Sequence, residues 1–223
     1  VPAAVVLQQT FDLNGAASVT ETVTQNAPGY SGQYLWDFQV TNESYTDGDG
    51  MSVFAVPAED PTMVSSVGGN AGWAGSVGAI PGEPNFVSWQ TSGAPLGIGG
   101  TADFSFATAP TGLTLSNSFV SDAGLTTTPG GLLAVPTSAP VPPTPSITVL
   151  AKTDTDMMAQ TINGAIGQIN DGPPMMNGQA VTLIRFGNGL KGQTITLSQQ
   201  LPEITAPKMT IDGQSNNIRP HSG

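Results

Sequence analysis

Residues 33–41, QYLWDFQVT, alternate in character: Tyr34, Trp36, Phe38 and Val40 fall on one side, and Leu35, Asp37, Gln39 and Thr41 on the other. A period of two is that of a half-buried strand. Comparable runs occupy 19–24, 51–56, 86–91, 101–108 and 113–120, with turn material such as TDGDG and GGNAGWAG between them. Six or seven short strands without helical periodicity predict an all-β, immunoglobulin-like sandwich over residues 1–125. Trp36, Phe104 and Phe106 are expected in its core, because aromatic side chains on an alternating face are usually buried.

The pattern then breaks. Residues 126–146, TTTPGGLLAVPTSAPVPPTPS, hold five prolines between Pro136 and Pro145. Such a run favours extended polyproline II and predicts a semi-rigid linker between two folding units.

Beyond it, ITVLA (147–151) can form a strand, and the period changes to that of a helix. Met158, Ile162, Ala165, Ile166 and Ile169 share one face, and Thr153 with Asp156 approximates a capping box, so a helix is predicted over about 154–170. Gly164 and Gly167 weaken it, and the Asp171-Gly172-Pro173-Pro174 stretch ends it. Short apolar runs follow at AVTLIRF (180–186), TITL (194–197), LPEI (201–204), KMTI (208–211) and NNI (216–218). Strands of four residues at roughly ten-residue spacing are too short for useful hairpins. They suit coils of a solenoid, each strand pairing with the coils above and below.

An amphipathic helix, a strand ending in Phe, then GLKGQTITL, LPEI and MTIDG together resemble the N-terminal coils of right-handed parallel β-helix proteins, the pectate-lyase-like and adhesin proteins of bacterial surfaces. The resemblance covers about residues 147–218. It implies a short right-handed parallel β-helix segment over 147–223, with the helix as its cap. The helix departs from the pattern: it reads DTDMMAQTINGAIGQIN where a Leu-Arg-Gln-Ala-Ile core is commoner. The N-terminal region, with Phe104-Ser105-Phe106 near its end, resembles sandwich domains of exported bacterial surface proteins at the level of fold.

Composition narrows the setting. Glycine (28) and proline (19) are abundant and only 9% of residues are charged, against roughly 25% in ordinary soluble domains. A hydrophobic content of 38% argues against disorder. All five basic residues, Lys152, Arg185, Lys191, Lys208 and Arg219, follow position 151, whereas eleven of the sixteen acids precede it. Residues 1–151 therefore carry a formal charge of −11 and the remainder zero. A region without Lys or Arg cannot neutralise phosphates, so nucleic acid and anionic membranes are poor partners. The absence of cysteine removes disulfides and thiol chemistry. The first residue is Val1 instead of Met, which suggests either a processed export signal or a chain cut from a longer one, and no run reaches the roughly 18 apolar residues of a spanning helix.

Candidate chemistry is sparse, and no catalytic constellation or cofactor motif stands out. His221, the sole histidine, lies in the tail RPHSG and makes a poor general base. Asp212 sits in an IDG turn, where its side chain is expected to cap the backbone, and Glu203 should face solvent. Glu43, Asp47 and Asp49 place three carboxylates on or beside a flexible Asp-Gly-Asp-Gly turn, and loop oxygens of this kind are what Ca²⁺ takes, although the EF-hand spacing is missing. The same turn also suits a hairpin connection. Asn42-Glu43-Ser44 forms a glycosylation sequon. Trp73 and Trp89 could supply a glycan-binding platform if exposed.

These readings lead to a non-enzymatic structural protein of the bacterial cell surface or exterior, a filament subunit or adhesin that self-associates through open β edges. Alternatives are the first part of a secreted β-helix lyase or hydrolase, and a carbohydrate-binding module whose partner is a cell-surface glycan.

Overall fold

The structure, a computed structural model, describes residues 1–48, 50–80, 85–137, 145–150 and 161–213. The described residues are all-β with one α-helix, and two sheets face each other across a shared core. The first sheet has the order β1-β2-β3-β8-β5, built from β1 (Ala4–Leu13), β2 (Ala17–Gln25), β3 (Tyr34–Asn42), β5 (Val64–Gly69) and β8 (Thr101–Thr108). All its pairs are antiparallel. The alternation in β3 holds: Trp36, Phe38 and Val40 are buried and Gln39 is exposed.

The second sheet contains β4 (Val53–Pro57), β6 (Trp73–Val77), β7 (Phe86–Thr91), β9 (Gly112–Ser121), β10 (Gly130–Thr137), β11 (Ser146–Val149), β14 (Leu183–Phe186) and β15 (Thr210–Asp212). Its path is β15-β14-β11-β9-β4-β7-β6, and β10 also pairs with β9. A strand has two edges, and β9 uses them unequally. One edge pairs with β10 along 112–119, while the other is divided between β4 at 119–121 and β11 at Leu115. The parallel strands therefore begin on the edge that β4 leaves free.

Within the core, Trp36, Phe38, Phe54, Trp89, Phe104 and Phe106 form one aromatic cluster. Their contacts include Trp36 on Phe106 at 5.7 Å and Trp89 on Phe104 at 5.2 Å between ring centres. The indole N–H groups are both satisfied: Trp36 donates to Thr108 Oγ1 (3.0 Å) and Trp89 to the Gly68 carbonyl (2.7 Å). GGNAGWAG, expected as turn, instead supplies the ends of β5 and β6. Its glycines have a packing role, since a Cβ at Gly75 would lie 2.7 Å from Trp89 Nε1 and one at Gly69 would lie 3.1 Å from Trp89 Cδ1. Two strands lose side chains so that the largest ring can enter the core. β1 was also not foreseen, although Leu13-Asn14-Gly15 carries a hairpin signal; Asn14 and Gly15 adopt φ of 59° and 72° there.

The linker needs correction. Gly130–Thr137 within 126–146 is strand β10, and Leu133, Ala134 and Val135 are fully or almost fully buried. Pro136 is tolerated for a specific reason. The Ala134 N–H points away from β9 to the Glu21 carboxylate (3.1 Å), so position 136, two residues on, also faces the edge that needs no ladder donor. Residues 138–144 lie outside the described part. The separation into 1–125 and 147–223 is not mirrored in the core either. One buried cluster runs from Leu7 through Trp89 and Leu115 to Ile166, Ile184 and Leu190.

Helix α1 spans Ile162–Asn170, shorter than the expected 154–170; Thr161 caps it by accepting the Gly164 N–H at 3.0 Å. The Thr153–Asp156 box and Met158 lie outside the described residues. Ile162, Ala165, Ile166 and Ile169 face the core as their spacing predicts. After a two-residue hairpin of β12 (Met175–Met176) and β13 (Gln179–Ala180), β14 runs parallel to β11, and β15 runs parallel to β14. No strand forms at 194–197 or 201–204. The latter is a loop held by Asn170 at the helix end, whose Nδ2 donates to the Glu203 carbonyl (2.6 Å) and whose Oδ1 accepts from Thr205 N (3.0 Å) and Ala206 N (3.1 Å). A side chain has taken the place of a ladder. NNI at 216–218 is outside the described residues.

Candidate functional site

The acidic turn folds against the loop that follows β9. Gly48 and Gly50 take positive φ, and the Gly50 N–H closes the turn on the Asp47 carbonyl at 3.2 Å. Asp47 Oδ2 accepts from Thr127 Oγ1. Tyr45 is buried between these loops, where its hydroxyl contacts the Thr127 carbonyl (3.1 Å) and accepts the Asp122 N–H (2.7 Å). Asp122 in turn accepts from the Thr126 hydroxyl, the Thr126 N–H (2.8 Å) and Ser121 Oγ (3.2 Å). These hydrogen bonds, the Thr126 hydroxyl foremost, hold its carboxyl below the usual range.

Glu43 points elsewhere, accepting from Ser18 Oγ at 2.6 Å. Asp49 lies outside the described residues. Among the described residues no three carboxylate or imidazole groups gather where they could hold a metal ion. The sequon is closed off: Asn42 is fully buried, donating to the Tyr45 and Leu96 carbonyls (3.0 and 2.7 Å) and accepting the Tyr45 N–H (2.8 Å). It has no amide left for a glycan.

The tryptophan platform does not exist as expected. Trp89 is fully buried, and Trp73 is half-buried with its ring edge-on to Phe104 at 5.0 Å. Asp212, expected to cap its turn, pairs with Arg185 at 3.9 Å. Glu203 is exposed, as its position predicts, and His221 is outside the described residues.

Two carboxyls that the sequence reading passed over are set apart by their surroundings. Glu21 occupies the inward position between Val19 and Val23 on β2, where its Oε2 accepts the Ala134 N–H and its Oε1 has no partner. Full burial pushes its pKa well above the ordinary value, and the single backbone hydrogen bond only partly opposes this. Its signal was present: in a period-two strand with Val19 and Val23 inside, residue 21 must be inside as well. On the outer face of the first sheet, Asp37 is raised by burial and by the neighbouring Asp103, which accepts from Gln39 Nε2 at 3.2 Å.

A groove opens where β1 passes β10. One hollow of about 390 Å³ lies between β1, Gly130–Leu132 and the end of α1, with Gln9, Asp12, Gln168 and Met175 on its walls. A second, about 720 Å³, extends from it over Asn117 and Thr126–Pro129 to Asp47. Asn14 and Gly130 line both. Gln9 Nε2 donates to the Met175 carbonyl (2.9 Å) across one end. Among the described residues no helix is long and apolar enough to cross a membrane.

No family model and no curated protein matches the chain. Among solved structures, an uncharacterized protein from Nocardia farcinica, whose crystal structure reveals an immunoglobulin-like fold, is similar at 20% identity. The match covers 52% of this chain and 81% of that one, with a TM-score of 0.33, and it brings no residue role with it.

Proposed function

We propose that this chain is a non-enzymatic structural protein of the bacterial cell surface or exterior, which self-associates through the open edge of its parallel strands. The observation that carries this reading is a ladder of isoleucines. Ile147, Ile184 and Ile211 stand in register on β11, β14 and β15. The first two are fully buried and Ile211, on the last rung, is 38% exposed. Leu197 and Ile204 are exposed in the same C-terminal stretch. Among the described residues no strand pairs with the outer edge of β15, and a row that repeats one residue per rung and leaves its last apolar side chain partly exposed is suited to receive another rung. In this reading the row is the start of a right-handed parallel β-helix, in keeping with the resemblance of 147–218 to such surface proteins. Head-to-tail addition of a second copy is a heterologous contact that can propagate into a filament. The low charge, 9% of residues, weakens the repulsion that would oppose it.

Light scattering and negative-stain electron microscopy of the 223-residue chain and its Ile211→Lys variant test this. Concentration-dependent oligomers or filaments that Ile211→Lys abolishes are the expected result. Monomers at every concentration overturn self-association and assign the edge to a further coil of a longer β-helix protein, including a lyase or hydrolase.

A further inference from the structure

We propose that the groove between β1, β10 and the loop after β9 binds a stretch of neutral oligosaccharide. The proposal goes beyond the assembly reading, because the groove and the β15 edge have no residue in common.

Size and shape come first. The two hollows, about 390 and 720 Å³, share Asn14 and Gly130 in their walls and so adjoin as a two-part trough, each part of the volume in which small ligands bind. An extended chain of several sugar rings fits such a trough better than a compact cofactor does.

The lining then selects the class of ligand. Amide groups of Gln9, Asn14 and Gln168 line one hollow, and those of Asn14 and Asn117 line the other beside Thr126–Thr128. Thr126 and Thr127 donate to Asp122 and Asp47, so their hydroxyl oxygens serve a ligand as acceptors. A carboxamide offers a donor and an acceptor side by side, which matches the adjacent hydroxyls of a sugar. The side-chain amides of Asn14 and Asn117 make no hydrogen bond with the described protein, so both are available to a ligand. Leu125, Leu132 and the exposed Met175 supply apolar surface for the C–H faces of the rings.

Charge narrows the competitors. No Lys or Arg occurs before Lys152, and among the described residues none lines the trough, so an anionic polymer would meet only Asp12 and Asp47. A cationic peptide is the remaining competitor, because accepting a hydrogen bond does not neutralise a carboxylate: Asp12 Oδ1 accepts the Gly15 N–H (2.8 Å) and Asp47 Oδ2 accepts from Thr127. The amide-rich lining favours the neutral sugar, and pentalysine decides between them.

The trough is also preformed. Gly131 brings β10 against β1 so closely that a Cβ there would lie 2.4 Å from the Asp12 carbonyl oxygen. The Tyr45 hydroxyl fixes the far wall through Asp122 and Thr127. Little ordering is left for a ligand to impose, which favours binding even without an aromatic platform.

The test is an NMR titration of the full chain with cellohexaose, chitohexaose and maltohexaose, beside polygalacturonate and pentalysine. Asn14→Gly keeps the left-handed turn while removing the amide, and Asn117→Ala removes the second; near-UV circular dichroism of the aromatic cluster verifies that each variant is folded. We expect at least one neutral hexasaccharide to shift amide resonances of 9–14, 117 and 126–132, with at least tenfold weaker binding in the double variant. Polygalacturonate and pentalysine should leave these signals unmoved. Absence of binding by all three neutral sugars at about 10 mM, ten times the ~1 mM Kd of a weak complex, equal binding by the folded double variant, or preferential binding of pentalysine overturns the proposal. Failure of Ile211→Lys to alter assembly would leave this result untouched, so the two readings stand or fall separately.

Discussion

The antiparallel sandwich and the parallel row that extends its second sheet close their apolar surfaces in different ways. In the sandwich, every large ring of the central cluster is capped by another ring or by the facing sheet, and both buried indole N–H groups have acceptors. The row is one layer deep at its end. Its Ile147 and Ile184 rungs are covered by neighbours on both sides, whereas among the described residues Ile211 has a strand neighbour only on one. An antiparallel sheet can close on itself through short hairpins, but a parallel row gains each new rung only after a crossover. A sandwich can therefore be finished, while a row always has a next position.

The comparison breaks most visibly in stability. Trp89→Ala removes a fully buried ring from the cluster and should lower the unfolding free energy by about 3–5 kcal/mol, measured by denaturant titration. Ile211→Ala should cost less than about 1 kcal/mol in the monomer, because much of that side chain is still in water. Equal costs would mean that the end of the row is as enclosed as the sandwich.

A second test concerns the seam where β2 meets β10. Glu21 has a folded-state pKa raised above its unfolded value, so the folded state holds its proton to higher pH than the unfolded chain does. Its contribution is fully present below the unfolded value and is lost as pH rises toward the folded one. Glu21→Gln keeps an acceptor for the Ala134 N–H and has no proton to lose. The variant should gain stability over the native chain at pH 8 compared with pH 5, read from denaturant midpoints at both pH values. A difference independent of pH would show that burial does not perturb this carboxyl.

The smallest effect is expected in the row. Arg185 and Asp212 stand on adjacent parallel strands with 3.9 Å between Nε and Oδ2, and both remain partly exposed. Arg185→Ala should change monomer stability by no more than about 1 kcal/mol, with that difference shrinking in 1 M salt. A larger, salt-insensitive loss would point to packing of the arginine stem and would make the row more core-like than its rungs suggest.

Local periodicity made β3 and β8 legible almost to the residue, because each buries one face and leaves much of the other to solvent, while β7 kept its predicted bounds although both its faces are buried over Phe86–Trp89. It failed where a strand is decided by what lies across from it. The β5–β6 region looks like turn until Trp89 needs the space that Gly69 and Gly75 leave. β10 looks like a spacer until Glu21 takes up its free edge and leaves Pro136 on the side without a ladder. The candidate site was harder still to read, since Asn14, Asn117 and Thr126–Thr128 lie far apart in the chain and none carries a motif. Of the calcium candidates, only the position of Asp47 on a turn was informative, and its carboxylate holds Thr127.

Sequence alone determined the class of the fold, the inward face of most strands, the apolar stripe of α1 and the charge step at Lys152, because these depend on the order of residue types along one element. Tertiary structure decided which edges meet, that the parallel strands grow from the second sheet of the sandwich, and where a groove opens between β1 and β10. Pairing of distant strand edges costs loop-closure entropy and is repaid only by contacts that a local pattern does not encode.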